Sequence, residues 1–117
     1  MRQQVFLDYR MAKRQYPMKQ DWTIIASRKV DKQIKKMPPA VKALMEALKR
    51  ELQTTGRAGD GWPKVGPIWQ FGKNRHIFKV HLNKKRPVYV TMFEVFKKQK
   101  EIKVLYAGTH ENAPYGR

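Results

Sequence analysis

The sequence predicts an α+β domain of element order β-α-α-β-β-β, an antiparallel sheet with a helical hairpin packed on one face. Three observations point there. Two amphipathic stripes flank Pro38-Pro39, a short run of strand formers precedes them, and three apolar-rich segments with strand alternation follow. Runs of helical period followed by runs of period two are the pattern of an antiparallel sheet covered on one side.

The elements can be justified in order. Residues 1–20 are polar and basic, with scattered Phe6, Tyr9, Met11, Tyr16 and Met18 and no clear period. They read as a partly ordered basic arm ahead of a single domain over 21–117. Trp22 to Ala26 is a short apolar run rich in strand formers. Ser27 offers an N-cap oxygen, and Val30, Ile34 and Met37 form one stripe of a first helix. Pro38-Pro39 ends it and can open the next helix at its first turn. Val41, Leu44, Leu48 and Leu52, with Met45 beside them, make the second stripe, and Gly56 stands where a C′ glycine belongs. Its outer face, with Lys42, Glu46, Lys49, Arg50 and Gln53, is either ordinary solvated charge or a grip on RNA.

Thr55 to Gly66 is a Gly- and Pro-rich loop without the Gly-Lys-Ser/Thr of a phosphate loop. Within Pro67–Lys73, Ile68-Trp69-Gln70-Phe71 suits a short edge strand. Arg75–Leu82, Val88–Phe96 and Ile102–Thr109 are the main strands, joined by Asn83–Pro87 and Lys97–Lys100, lengths that suit hairpins. Trp22, Trp62 and Trp69 read as core or loop packing.

Charge is the strongest bulk signal. In 117 residues, 26 Lys and Arg face 9 Asp and Glu, a formal +17. Such an excess repels itself in a compact state, so an anionic partner is expected: nucleic acid first, an anionic membrane surface second, and an acidic protein third, which does not exclude the first. An anionic membrane is disfavoured because no long basic amphipathic helix is visible. The absence of cysteine excludes disulfides and thiolate metal sites. With three His and few carboxylates, neither a metal nor another cofactor is expected. No apolar run reaches spanning length and no apolar leader is visible, so a cytoplasmic location is expected.

Alternation along Arg75–Leu82 separates two faces. Phe78, Val80 and Leu82 fall on the face that can be buried. Arg75, Lys79 and His81 share the other, with Ile77 among them, while His76 falls opposite and reads as structural. Cations and an imidazole in one row suit a phosphodiester. RNA carries its own nucleophile, the 2′-OH. Its cleavage needs a base, a cation for the phosphorane and an acid for the leaving oxygen, and no metal. Histidine titrates in the right range. His81 and His110 are therefore the candidate base and acid, Lys79 and Arg75 the phosphate clamp, and Tyr115 a group that stacks on a base or holds the 2′-OH in line. Lys84, Lys85 and Arg86 form a basic hairpin tip suited to backbone phosphate.

Phe78-Lys79-Val80-His81-Leu82, and Gly108-Thr109-His110-Glu111 followed by Tyr115, resemble two motifs of the RelE/ParE toxin superfamily. The nearest branch is the RelE-type ribosome-dependent mRNA interferases. The resemblance spans about residues 22–115 as an order of elements and is sharper over 75–115. It implies catalytic roles for Lys79 and Tyr115. His81 stands where another lysine is frequent, and His110 where an arginine is frequent. The sequence departs from the pattern at mid-sheet, where Val90 or Thr91 takes the place of an arginine, leaving Arg75 or Arg86 to supply that charge.

The resemblance further implies a type II toxin that cleaves mRNA in the ribosomal A site and inhibits translation. Its partners would be mRNA, the ribosome through 16S rRNA, and a cognate antitoxin that covers the basic sheet. Two other readings stay open: a non-nuclease gyrase inhibitor like the ParE branch, and a non-enzymatic rRNA- or ribosome-binding protein.

Overall fold

The computed structural model describes residues 21–115. The basic arm expected over 1–20 lies outside the described residues. The elements run β1 (Thr23–Ala26), α1 (Arg28–Lys35), α2 (Pro39–Thr55), β2 (Lys64–Ile68), β3 (Ile77–His81), β4 (Tyr89–Phe96) and β5 (Glu101–Thr109), followed by a 3-10 turn at His110–Asn112. They form one five-stranded sheet in the order β1-β5-β4-β3-β2.

Local chemistry sets the helix ends. The Ser27 hydroxyl accepts the Val30 N–H at 3.2 Å and caps α1. Pro39 occupies the first turn of α2, where its missing N–H is not needed. Gly56 closes α2 in the left-handed conformation, φ 78°, with its N–H on the Leu52 carbonyl. Trp22 then packs where a side chain at position 56 would go: a Cβ there would lie 2.3 Å from the indole.

α2 buries Val41, Met45, Leu48 and Leu52 against Val80, Leu82, Phe93, Val95, Ile102 and Val104 of the sheet. Full burial of each such side chain contributes about 1.5–3 kcal/mol relative to exposure. This is the main core, and it lies on the sheet face assigned to Phe78, Val80 and Leu82.

Three features depart from the sequence reading. β1 pairs with β5 in parallel, Thr23 opposite Glu101 through Ala26 opposite Val104, so the sheet is mixed. The two strands are not consecutive: the helical hairpin and the strands β2, β3 and β4 intervene, which permits that direction. The edge strand is Lys64–Ile68 rather than Ile68–Phe71, because Gly72 N–H bonds back to the Trp69 carbonyl at 3.1 Å and turns the chain there. Finally, the second sheet face is only partly open. Ile68, Ile77, Val90, Met92 and Tyr106 on it pack with Ala113 and Tyr115 into a smaller core. The segment after β5 thus folds back over the sheet and delivers Tyr115 to the centre of that face.

Candidate active site

Strand register decides which groups meet. On β3, Ile77, Lys79 and His81 point to the second face. Their cross-strand neighbours are Ile68, Gly66 and Lys64 on β2, and Glu94, Met92 and Val90 on β4. Directly paired residues share a face. Lys79 and His81 therefore stand between an edge strand that supplies Lys64 and a central strand whose residues directly opposite them, Met92 and Val90, are apolar. The Lys79 stem passes close to Gly66, its Cε 3.9 Å from where a Cβ there would stand.

The 3-10 turn brings the other two groups. His110 N–H donates to the Val88 carbonyl at 2.8 Å, and Ala113 N–H donates to His110 O at 3.2 Å. These bonds start the turn beside the end of β3. The His81 and His110 rings meet edge to face with centroids 5.1 Å apart. His110 meets the Tyr115 ring at 6.3 Å, again edge to face. Lys79 Nζ lies 5.3 Å from the Tyr115 ring centroid, within cation–π range. Lys79, His81, His110 and Tyr115 thus form one contiguous cluster. Beside it, His81, His110, Arg86, Thr109 and Glu111 line an open pocket of about 540 Å³.

The electrostatics distinguish the members. Burial pushes the His81 imidazole below its ordinary pKa, and the neighbouring His110, Lys64 and Lys79 push it further. A neutral imidazole next to cations is a proton acceptor at pH 7. Burial raises the Tyr115 phenol, with a smaller contribution from Tyr106. His81 Nε2 and the Tyr115 hydroxyl are both buried without a hydrogen-bond partner. Buried polar groups are normally paired. Two unpaired ones in one cluster mark a place where an incoming polar ligand would gain bonds that the protein alone does not make.

The remaining expected residues distribute differently. Arg75 is held by Glu94 through two bonds, Nη2 to Oε1 at 2.7 Å and Nε to Oε2 at 3.0 Å. That geometry raises the Arg75 pKa and lowers that of Glu94. Its guanidinium is therefore engaged with a carboxylate beyond Ile77 and stands outside the Lys79–His81–His110–Tyr115 cluster. Lys84 and Lys85 line the opposite side of the hairpin, in a hollow shared with Trp62 and Glu51, while Arg86 faces the histidines. Val90 and Thr91 are both fully buried, so neither position offers the site a polar group.

Lys64 was missed by the sequence reading. It sits inside a Gly- and Pro-rich stretch, and only the alternation Lys64, Gly66, Ile68 marks it as facing the same way as an apolar anchor. Among the described residues no group of three or more His, Asp or Glu side chains is placed to hold a metal ion.

No family model matches the sequence, and no curated protein matches it. Solved structures do match in shape. An archaeal RelE in its complex with RelB from Pyrococcus horikoshii OT3 superposes with TM-score 0.64 at 16% identity, covering 80% of this chain and 99% of that one. The chain has the RelE toxin fold. A metal-bound toxin from Helicobacter pylori gives TM-score 0.56 at 19% identity, over 77% and 96% of the two chains. A mutant of the E. coli toxin RelE in the free state gives 0.54 at 13%, over 80% and 87%. At these identities the RelE-type framework is shared, and the imidazole pair must be judged on this chain's own geometry.

Proposed function

We propose that this chain is the toxin of a type II toxin–antitoxin pair and a metal-independent endoribonuclease that cuts mRNA in the ribosomal A site. The observation that carries the reading is the meeting of Lys79, His81, His110 and Tyr115 on one face of a strongly basic sheet. The RelE-type shape supports the toxin class, and a solved complex with RelB supports an antitoxin partner.

In the proposed mechanism His81, kept neutral by burial and by its cationic neighbours, takes the proton from the 2′-OH. The 2′-oxygen attacks phosphorus while Lys79 and Lys64 neutralise the phosphorane. The P–O5′ bond breaks and His110 delivers a proton to the leaving oxygen. The products are a 2′,3′-cyclic phosphate and a 5′-hydroxyl. Tyr115, anchored in the second core, holds the nucleotide against the sheet, and Arg86 holds a flanking phosphate at the pocket rim. An open site of this kind supplies little positioning of its own, so the ribosome supplies the in-line geometry. That substrate places the protein in the cytoplasm. An acidic antitoxin would neutralise the same face.

The test is to add the protein to translating ribosomes and map the mRNA ends. New ends at A-site codons, lost with Lys79→Ala and His81→Ala, are expected. Intact message with inhibited DNA supercoiling would instead assign a gyrase inhibitor. Intact message with ribosome binding would leave a non-enzymatic binder.

A further inference from the structure

The turn between β2 and β3 holds two aromatic rings that nothing in the proposed chemistry uses. Trp69 is 61% exposed and Phe71 37%, and Trp69 is the most exposed large apolar side chain among the described residues. A solvated indole in a folded domain is informative when its neighbours point to a ligand. Here they do. From Lys64 through Lys79, both included, the sequence has four Lys or Arg and no Asp or Glu.

The turn is also built rather than loose. Gly72 N–H donates to the Trp69 carbonyl at 3.1 Å, and Gly72 takes φ 113°, which favours glycine. The Arg75 guanidinium lies 5.9 Å from the Phe71 ring centroid and is also held by Glu94 at 2.7 Å. Gln70 Nε2 donates to the Pro114 carbonyl at 3.3 Å, which ties the turn to the residue before Tyr115. Ile68, immediately before Trp69, packs in the same small core as Ile77 and Tyr115. The aromatic turn is therefore joined to the Tyr115 end of the cluster, and Trp69 follows three residues after Gly66, the cross-strand partner of Lys79, roughly 10 Å along the chain.

We propose that Trp69 and Phe71 form a stacking platform for bases of single-stranded RNA next to the scissile phosphate. Aromatic side chains interleaved with cations are the common means of holding a single strand, because every base offers a flat face and every nucleotide a charge. The platform rests on the nuclease reading for its orientation, and it gives that site a subsite for the neighbouring nucleotide. Arg75 serves it by backing Phe71.

The experiment measures fluorescence anisotropy of a labelled single-stranded RNA decamer, and of the same RNA as a duplex, at several salt concentrations. Trp69→Ala should weaken single-strand binding about 5- to 150-fold, the range of one lost base stack. It should leave the slope of log affinity against log salt unchanged, because no phosphate contact is lost. Trp69→Tyr should bind within about threefold of wild type, since an aromatic face remains. Wild-type affinity in both Trp69→Ala and Phe71→Ala, an equal loss on the duplex, or no single-strand binding by the wild type would overturn the platform and leave the turn to a protein partner. The two readings separate. Cleavage of ribosomal message with normal RNA binding by Trp69→Ala sinks the platform alone. Absence of cleavage with a Trp69-dependent single-strand affinity sinks the nuclease alone.

Discussion

Tyr106 reaches past Gly108 to donate its hydroxyl to the Thr109 carbonyl at 2.8 Å, and a Cβ at position 108 would sit 2.6 Å from the Tyr106 hydroxyl oxygen. The bond fixes the backbone immediately before His110. It also explains in physical terms why a glycine suits the position two residues before the basic one in this strand end.

Gly108→Ala should therefore push the phenol off the Thr109 carbonyl. The expected loss is about 1–3 kcal/mol from overpacking, read as a lower midpoint in urea unfolding with unchanged slope. If the site cleaves RNA as proposed, the mutant should also lose cleavage more than Thr109→Ser does, because the turn that presents His110 is displaced.

Glu94 is 7% exposed and depends on Arg75 for both of its oxygens. Arg75→Met should lower stability near neutral pH, since it strands a buried carboxylate. The sign follows from Glu94, whose folded pKa is depressed below its unfolded value of about 4.3. Its contribution is complete above that value and is lost as pH falls through the folded pKa. The gap in melting temperature between wild type and Arg75→Met should thus be widest at pH 6–7, by the order of those pKa values, and close on acidification below about pH 4. A gap that stays constant with pH would show that the pair is not what the mutation removes.

Much of this was legible in the sequence because it is local. The Ser27 cap, the Pro39 helix start, the Gly56 stop and the faces of α2 and β3 all follow from spacing and side-chain type. What escaped is what depends on distant chain. Nothing near Trp22 announces that β1 will lie parallel beside β5, and nothing near Arg75 announces Glu94, nineteen positions away. The edge strand starts earlier than its spacing suggests because Lys64–Gly66 closes a Gly- and Pro-rich stretch that reads as loop, although an edge tolerates Gly66 and the Pro67 that follows it. Lys64 disappeared with it. The second core was hidden for a different reason: its pieces, Ile68, Ile77, Met92, Tyr106 and Ala113, come one or two from each segment and make no stripe on any of them.

His81 should contribute a recognisable pH dependence of its own. Its folded pKa lies below its unfolded value of about 6.5, so the unfolded chain binds the extra proton first. Stability is then complete above about pH 6.5 and falls as pH drops through the window beneath it. His81→Gln should flatten that part of the profile in thermal melts recorded from pH 8 to 5. If the same imidazole acts as the base, the acid limb of the cleavage rate should also fall below pH 6.5, in the order of that lowered pKa. A cleavage rate that is flat across this range would remove His81 from proton transfer while leaving its stability effect in place.

Tyr115 separates packing from chemistry most cleanly. Its ring fills the second core and faces Lys79 and His110, whereas its hydroxyl is buried with no partner. Removing an unsatisfied buried hydroxyl relieves a desolvation penalty, so Tyr115→Phe should be neutral or more stable by up to about 1 kcal/mol. Tyr115→Ala should instead lose about 3–5 kcal/mol through the cavity it leaves. If the hydroxyl holds the 2′-OH in line, Tyr115→Phe cuts A-site cleavage by about 10²-fold, the scale of a lost positioning contact, while remaining folded. If the tyrosine only stacks, the phenylalanine keeps most of the activity and only the alanine loses it. A Tyr115→Phe protein that is destabilised would mean the hydroxyl has a partner, and the site would have one bond fewer to offer an incoming ligand.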